Sequence, residues 1–192
     1  MRAIHLVPRT IVSDERIVEI RSHGGRLQAD PDKDIALVAL MERSPRRDGA
    51  TTTGPTRIGR GLVSGLGLSR GAVATTIAHD AHHLLVTGIE PADMLVAAQA
   101  VAAEGGGLAV VDRGAVQTLP LPLAGLMTDL PTGTVGARLR SLEAAVATLG
   151  VDFEEPFMML SFITLSVIPR LRLTLEGVLD VQAQELVPVL IR

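Results

Sequence analysis

Five consecutive residues, His79-Asp80-Ala81-His82-His83, hold three of the chain's five histidines and a carboxylate. Imidazole and carboxylate are the side chains most used for proton transfer near neutral pH, so acid–base chemistry is the first thing to look for here. A β-like stretch, Ala72-Val73-Ala74-Thr75-Thr76-Ile77-Ala78, leads into the run, and a second, Leu84-Leu85-Val86-Thr87, leaves it. The cluster is therefore expected where one strand hands over to the next, at the rim of a sheet. A second reading of the same residues stays open. Histidines at strand ends also cap backbone groups or lie in solvent, and an Asp beside a turn often bonds its own backbone. A metal centre at His79–His83 has too few ligands in view. His79 and His82 are three apart, His5 and His23 have no companions nearby, and zinc sites recruit further ligands from a distant segment.

The elements that must position this cluster are short. Ile4–Val7, Arg16–Arg21 and Asp34–Met41 read as strands, with Ser22-His23-Gly24-Gly25 as a turn. From Ser44 to Pro55 there is no apolar run, and residues 44–57 read as a mobile loop. Glycines 59, 61, 65, 67 and 71 follow at mostly even spacing; no helix pattern comes after them, so they indicate bulges or close backbone approach and not phosphate binding. Glu90-Pro91 opens a helix with Pro at its first position and Met94, Leu95, Ala98, Val101 and Ala102 on one apolar face. Gly105-Gly106-Gly107 ends it. Leu108–Val111 and Ala115–Leu119 make a hairpin around Asp112-Arg113-Gly114. A second helix starts near Pro131, carries Val135, Leu139, Leu142, Val146 and Leu149 in a stripe, and stops at Gly150. Leu119–Met127 reads as extended and proline-pinned. The apolar tail, Pro156–Phe162 and Val167-Ile168-Pro169, is expected to be buried against the sheet or another domain, ahead of an edge strand at Leu171–Leu173. The expected fold is α/β, with α+β as the variant: a layered sandwich of mixed β-sheet with at least two packed helices.

Composition narrows the classes. The chain has 192 residues, 47% of them hydrophobic, and a mean hydropathy of +0.35, which suits one substantial core and a single domain over 1–192. No apolar stretch is long enough to span a bilayer, and the N-terminal residues lack a signal-peptide pattern, so the cytoplasm is the expected location. With no cysteine there is no disulfide framework, thiolate nucleophile or Cys-ligated zinc. A net charge of −3 and only three aromatic residues, Phe153, Phe157 and Phe162, argue against nucleic-acid binding.

In order along the chain, Ile58–Gly71, Ala72–His83, Gly88–Met94, Gly105-Gly106-Gly107, Leu119–Met127, Pro156–Phe162 and Val167-Ile168-Pro169 resemble the C-terminal domain of bacterial and archaeal adenine deaminase. The resemblance runs from Ile4 to the C-terminus. It implies hydrolytic deamination of adenine to hypoxanthine and ammonia, carried out with an amidohydrolase-like (β/α)₈ barrel that binds manganese or iron and directs a metal-activated water at the purine carbon. Such a barrel needs ~250 residues and this chain has no His-x-His pair, so the chain is expected to be the non-barrel end of the enzyme, as a separate gene product or an isolated domain. It is expected to hold no cofactor itself and to be inactive alone. The family usually reads His-Asp-Ser-His-Asn where this chain has His79-Asp80-Ala81-His82-His83, and Glu-Arg-His where it has Glu42-Arg43-Ser44. Phenylalanines usual in the glycine-spaced segment are Leu62 and Leu66 here. These departures leave room for a diverged paralogue.

On the first functional reading, His79, Asp80 and His82 face the mouth of a barrel in the same or another chain, where they position adenine or shuttle protons. The alternative is a non-catalytic module for oligomerisation, as a homo-oligomer, or for small-molecule binding, derived from that family.

Overall fold

The structure is a computed structural model describing residues 1–20, 22–24, 26–43, 47–48, 51–52 and 56–191. Short apolar runs become eight strands: β1 Arg2–Leu6, β2 Ser13–Ile17, β3 Ile35–Met41, β4 Ile58–Ser64, β5 Ala72–Thr75, β6 Leu84–Gly88, β7 Gly107–Asp112 and β8 Ala115–Pro120. They form one mixed sheet in the order β8-β7-β5-β6-β3-β4-β1-β2. Only β1 and β4 run parallel; the other neighbours are antiparallel.

Period-two alternation in the central strands sorts side chains between two covered faces. Ala72, Ala74, Leu84, Val86, Ala109 and Val111 pack under α1 (Pro91–Ala103), against Met94, Ala97, Ala98 and Val101. Val73, Leu85, Leu108 and Val110 face the other way. They share a core with Leu142 and Val146 of α2 (Thr132–Thr148), Phe157 and Leu160 of α3 (Pro156–Ser161), and Leu171, Leu173 and Val178. The last three belong to a small antiparallel sheet of β9 Leu171–Thr174, β10 Gly177–Asp180 and β11 Glu185–Val187. The result is the expected layered α/β sandwich. Each fully buried Leu or Val contributes about 1.5–3 kcal/mol over leaving it in water.

Both anticipated helices are present, with Glu90 and Pro131 at their N-caps. One face assignment is corrected: Leu95 is 57% exposed, Ala102 is exposed too, and Ala97 and Asp93 are buried instead. The sheet beneath α1 is surfaced with alanines, so the helix sits close and presents its own alanines; a leucine there would hold it off. Asp93 is accommodated because its Oδ1 accepts a hydrogen bond from the Gly114 backbone N–H at 3.0 Å.

The glycine-spaced segment is a site of close approach. A Cβ at Gly59 would overlap the carbonyl oxygen of Thr174, and one at Gly61 would press on Val38 and Val178 at 3.4 and 3.3 Å. The small sheet therefore lies directly on β4. The strand expected at Arg16–Arg21 lies earlier, because β1 pairs Leu6 with Ser13 and the buried Ser13 hydroxyl donates to the Leu171 carbonyl at 2.6 Å. Leu119–Met127 is also corrected. It leaves β8 and folds into a tight turn, closed by a bridge between Leu123 and Met127, with Ala124 and Gly125 at φ 58° and 73°. Ser22–His23 pairs antiparallel with Arg26–Leu27. Most of the loop expected at 44–57 lies outside the described residues; within it, Arg47–Asp48 pairs with Thr51–Thr52. Among the described residues no helix is long and apolar enough to cross a membrane.

Candidate functional site

β5 and β6 are antiparallel neighbours, with Thr75 opposite Leu85, and residues 76–83 form the loop that joins them. The histidine cluster thus stands at the sheet rim, where the sequence placed it. His79 is fixed through its backbone by the last residue of α3 and the segment that follows it. Its N–H donates to the Ser161 carbonyl at 3.1 Å, and its carbonyl accepts from the Thr164 hydroxyl at 2.7 Å. Its ring stacks on Phe162, with 5.7 Å between centroids and 29° between planes. His82 closes the turn, donating its N–H to the Ala78 carbonyl at 2.8 Å. It has φ 49°, a left-handed conformation that His tolerates better than most residues.

The His79 and His82 rings lie 5.5 Å apart, centroid to centroid, at 57°. Both are half-buried, and the Nδ1 of each is buried without a hydrogen-bond partner among the described residues. At His82 an imidazolium would need acceptors for two N–H groups, and its buried Nδ1 has none among the described residues. Burial is accordingly the main cause that holds the His82 pKa below its ordinary value; the neighbouring His79 and Arg43 add to it and Asp80 opposes it. The lowered pKa favours the neutral imidazole of His82. The His83 pKa is also lowered by burial, against the pull of Glu42. Asp80 is exposed.

His79, Asp80 and His83 line a cleft of about 370 Å³ together with Leu40, Arg57 and Glu176. Arg57 bridges two carboxylates here, Glu42 at 2.6 Å and Glu176 at 2.7 Å. Its hydrogen bond holds the Glu42 carboxyl below its ordinary value. The structure therefore brings His79 and His82 into ring contact and sets Asp80 beside them on the solvent side. Sequence reasoning missed Arg43, Thr76, Phe162 and Thr164. Arg43 stood in the Glu42-Arg43 pair, but nothing in its local sequence says what it touches. As for a metal, two orphaned imidazole nitrogens are a beginning, yet no group of three or more His, Asp or Glu side chains converges among the described residues.

Residues 10–185 match the family described as the adenine deaminase C-terminal domain. The adenine deaminase of Oleidesulfovibrio alaskensis is 42% identical over 190 residues, which cover 98% of this chain and 32% of that protein. Adenine deaminase 2 of Carboxydothermus hydrogenoformans is 42% identical over 190 residues, with the same coverage of 98% and 32%. For the adenine deaminase of Clostridium botulinum strain Langeland the identity is 37% over 191 residues, 99% of this chain and 31% of that protein. The chain spans about a third of the length of these relatives, so in them the equivalent of this domain shares its chain with further sequence.

Proposed function

Because this chain belongs to the adenine deaminase C-terminal domain family, we propose that it serves the hydrolytic deamination of adenine to hypoxanthine and ammonia, working with an amidohydrolase-like barrel in the same or another chain. The observation that carries the reading is the His79–His82 pair, a neutral imidazole held at a sheet rim by contacts from other elements. Manganese or iron belongs to the barrel in this reading and supplies an activated water there.

The chain's own residues would handle protons at the edge of that site. In this reading the His82 ring takes up a proton and returns it to the amine that leaves as ammonia. His79, stacked on Phe162 and fixed by Thr164, limits the movement of the His82 ring. Asp80, exposed in the same turn, can accept a hydrogen bond from the exocyclic amine. In this reading the activity is cytoplasmic.

One observation favours the second reading, a non-catalytic oligomerisation or binding module. An apolar cleft of about 330 Å³ lies beside the His turn, lined by Ile77, Leu121, Leu126, Phe157 and Met158 among others. Close by in the chain, Leu123 and Met127 are 50% and 60% exposed.

Hypoxanthine formation separates the two. This chain, joined to the remainder of the Oleidesulfovibrio enzyme in place of that protein's own matching third, should support adenine turnover with manganese, whereas the chain alone should not. Equal turnover by the remainder without any C-terminal third would refute the catalytic reading.

A further inference from the structure

Arg43 lies two residues past β3, and its guanidinium joins two turns that are far apart in sequence. Nε donates to the His82 carbonyl at 3.0 Å and Nη2 to the Ala124 carbonyl at 2.5 Å. The Arg43 backbone N–H also points at His83 Nδ1, a long contact of 3.4 Å. On the other side of the second turn, the Thr76 hydroxyl donates to the Gly125 carbonyl at 2.6 Å and accepts from the Gly107 N–H at 2.9 Å. Successive carbonyls of the 123–127 turn are thus gripped from two directions, Ala124 by Arg43 and Gly125 by Thr76. Space is fitted to the same arrangement. A Cβ at Gly125 would run into the Arg43 guanidinium, and a Cβ at Gly106 would meet the Gly125 Cα.

His82 needs such support. A non-glycine residue in the left-handed region persists where surrounding contacts over-determine it. The grip on His82 comes from its own N–H bond to Ala78 and from Arg43 on its carbonyl. A planar fork of donors can reach two carbonyls at once; a lysine ammonium at the end of a flexible stem is a poor substitute.

We propose that Arg43 is a positioning residue for the candidate site: by tying the His82 carbonyl to the Leu123–Met127 turn, it fixes the backbone from which the His82 ring projects. The inference rests on reading His82 as a working group, but its test does not need turnover. The groups that face His82 are His79, Asp80, the Arg43 charge and the Thr76 backbone. Arg43 therefore acts on the ring both as a charge and as a brace, and the two separate experimentally.

The measurement is the His82 titration midpoint by NMR on this chain, in R43K, R43Q and G125A, with melting curves recorded alongside. R43K keeps the charge and removes the brace; G125A keeps Arg43 and displaces its guanidinium. The inference expects all three to move the His82 midpoint up toward that of a free histidine while the chain still melts cooperatively. An unchanged midpoint in R43K and G125A, with a shift in R43Q alone, would show that only the charge matters and overturn it. If the midpoints move as expected but the same variants keep full turnover in the fused enzyme, the positioning role stands and the proposed function fails.

Discussion

The His79 ring lies on Phe162, 5.7 Å between centroids, and the Phe162 carbonyl accepts a hydrogen bond from Arg172 Nη1 at 2.8 Å. A guanidinium with 1% exposure thus stands directly behind the aromatic residue that supports the candidate site. Arg172 also donates to the carbonyls of Ile168 at 2.7 Å, Pro169 at 2.7 Å and Ile11 at 2.6 Å. All four partners are backbone carbonyls, and burial lowers the Arg172 pKa to about 10.

Arg172→Met should therefore destabilise the fold strongly. It would leave buried carbonyls without donors, at about 1–3 kcal/mol for each group that water cannot reach. Chemical denaturation should show a loss of several such units' worth of stability, on the order of 3 kcal/mol or more. A midpoint unchanged from the parent chain would mean that water or a shifted loop satisfies them.

Acid should weaken the fold through the His turn. The pKa values of His82 and His83 are both held below the ordinary 6.5, chiefly by burial. Between those values and 6.5 the unfolded chain binds protons that the folded chain does not, so stability rises with pH across that window. The contribution is fully present above the unfolded value and is lost as the pH falls through the folded values. Urea midpoints taken at about pH 7.5 and about pH 5.5 should differ in that direction, bracketing the ordinary histidine range. A double variant, H82N with H83N, should flatten the difference; an undiminished slope would place the linkage on other groups.

Glycine substitutions should differ in sign and size. At Gly114, φ is +82° and nothing stands within 4 Å of a new Cβ, so alanine meets backbone strain alone, about 1–2 kcal/mol. Gly125, at φ +73°, adds the collision with Arg43, and G125A should cost more than G114A. Gly133, in the first turn of α2, has open space, and G133A should stabilise by about 0.5–1 kcal/mol. Thermal melts of the three variants check the ranking, and G125A no worse than G114A would deny the steric role of Arg43.

How far these features were legible in the sequence depended on whether their cause was local. The two long helices declared themselves by caps, stripes and terminal glycines, and the histidine cluster by the strands on either side. Arg172 did not. Between Leu171 and Leu173, alternation suggests a side chain turned to solvent, yet Ile11 and the 162–169 segment cover that face. Arg43 was illegible for the same reason, since its partners lie 39 and 81 residues away. α3 has six residues, too few for a helical stripe to show. Leu95 was misplaced because close helix–sheet packing selects alanine, against the hydrophobicity ranking that periodicity arguments use.

The central claim is that the His79–Asp80–His82 turn takes part in adenine turnover, and the most direct test compares rate with stability in one variant. In a fusion with a competent barrel, His82→Ala should lower the rate of hypoxanthine formation on the order of 10²-fold, as loss of a proton-transfer or positioning group commonly does. The melting temperature should stay close to that of the parent fusion. His79→Ala should behave similarly, and His83→Ala should leave turnover near the parent rate. Full turnover in the His82→Ala and His79→Ala enzymes would contradict the account and make the cluster a structural turn.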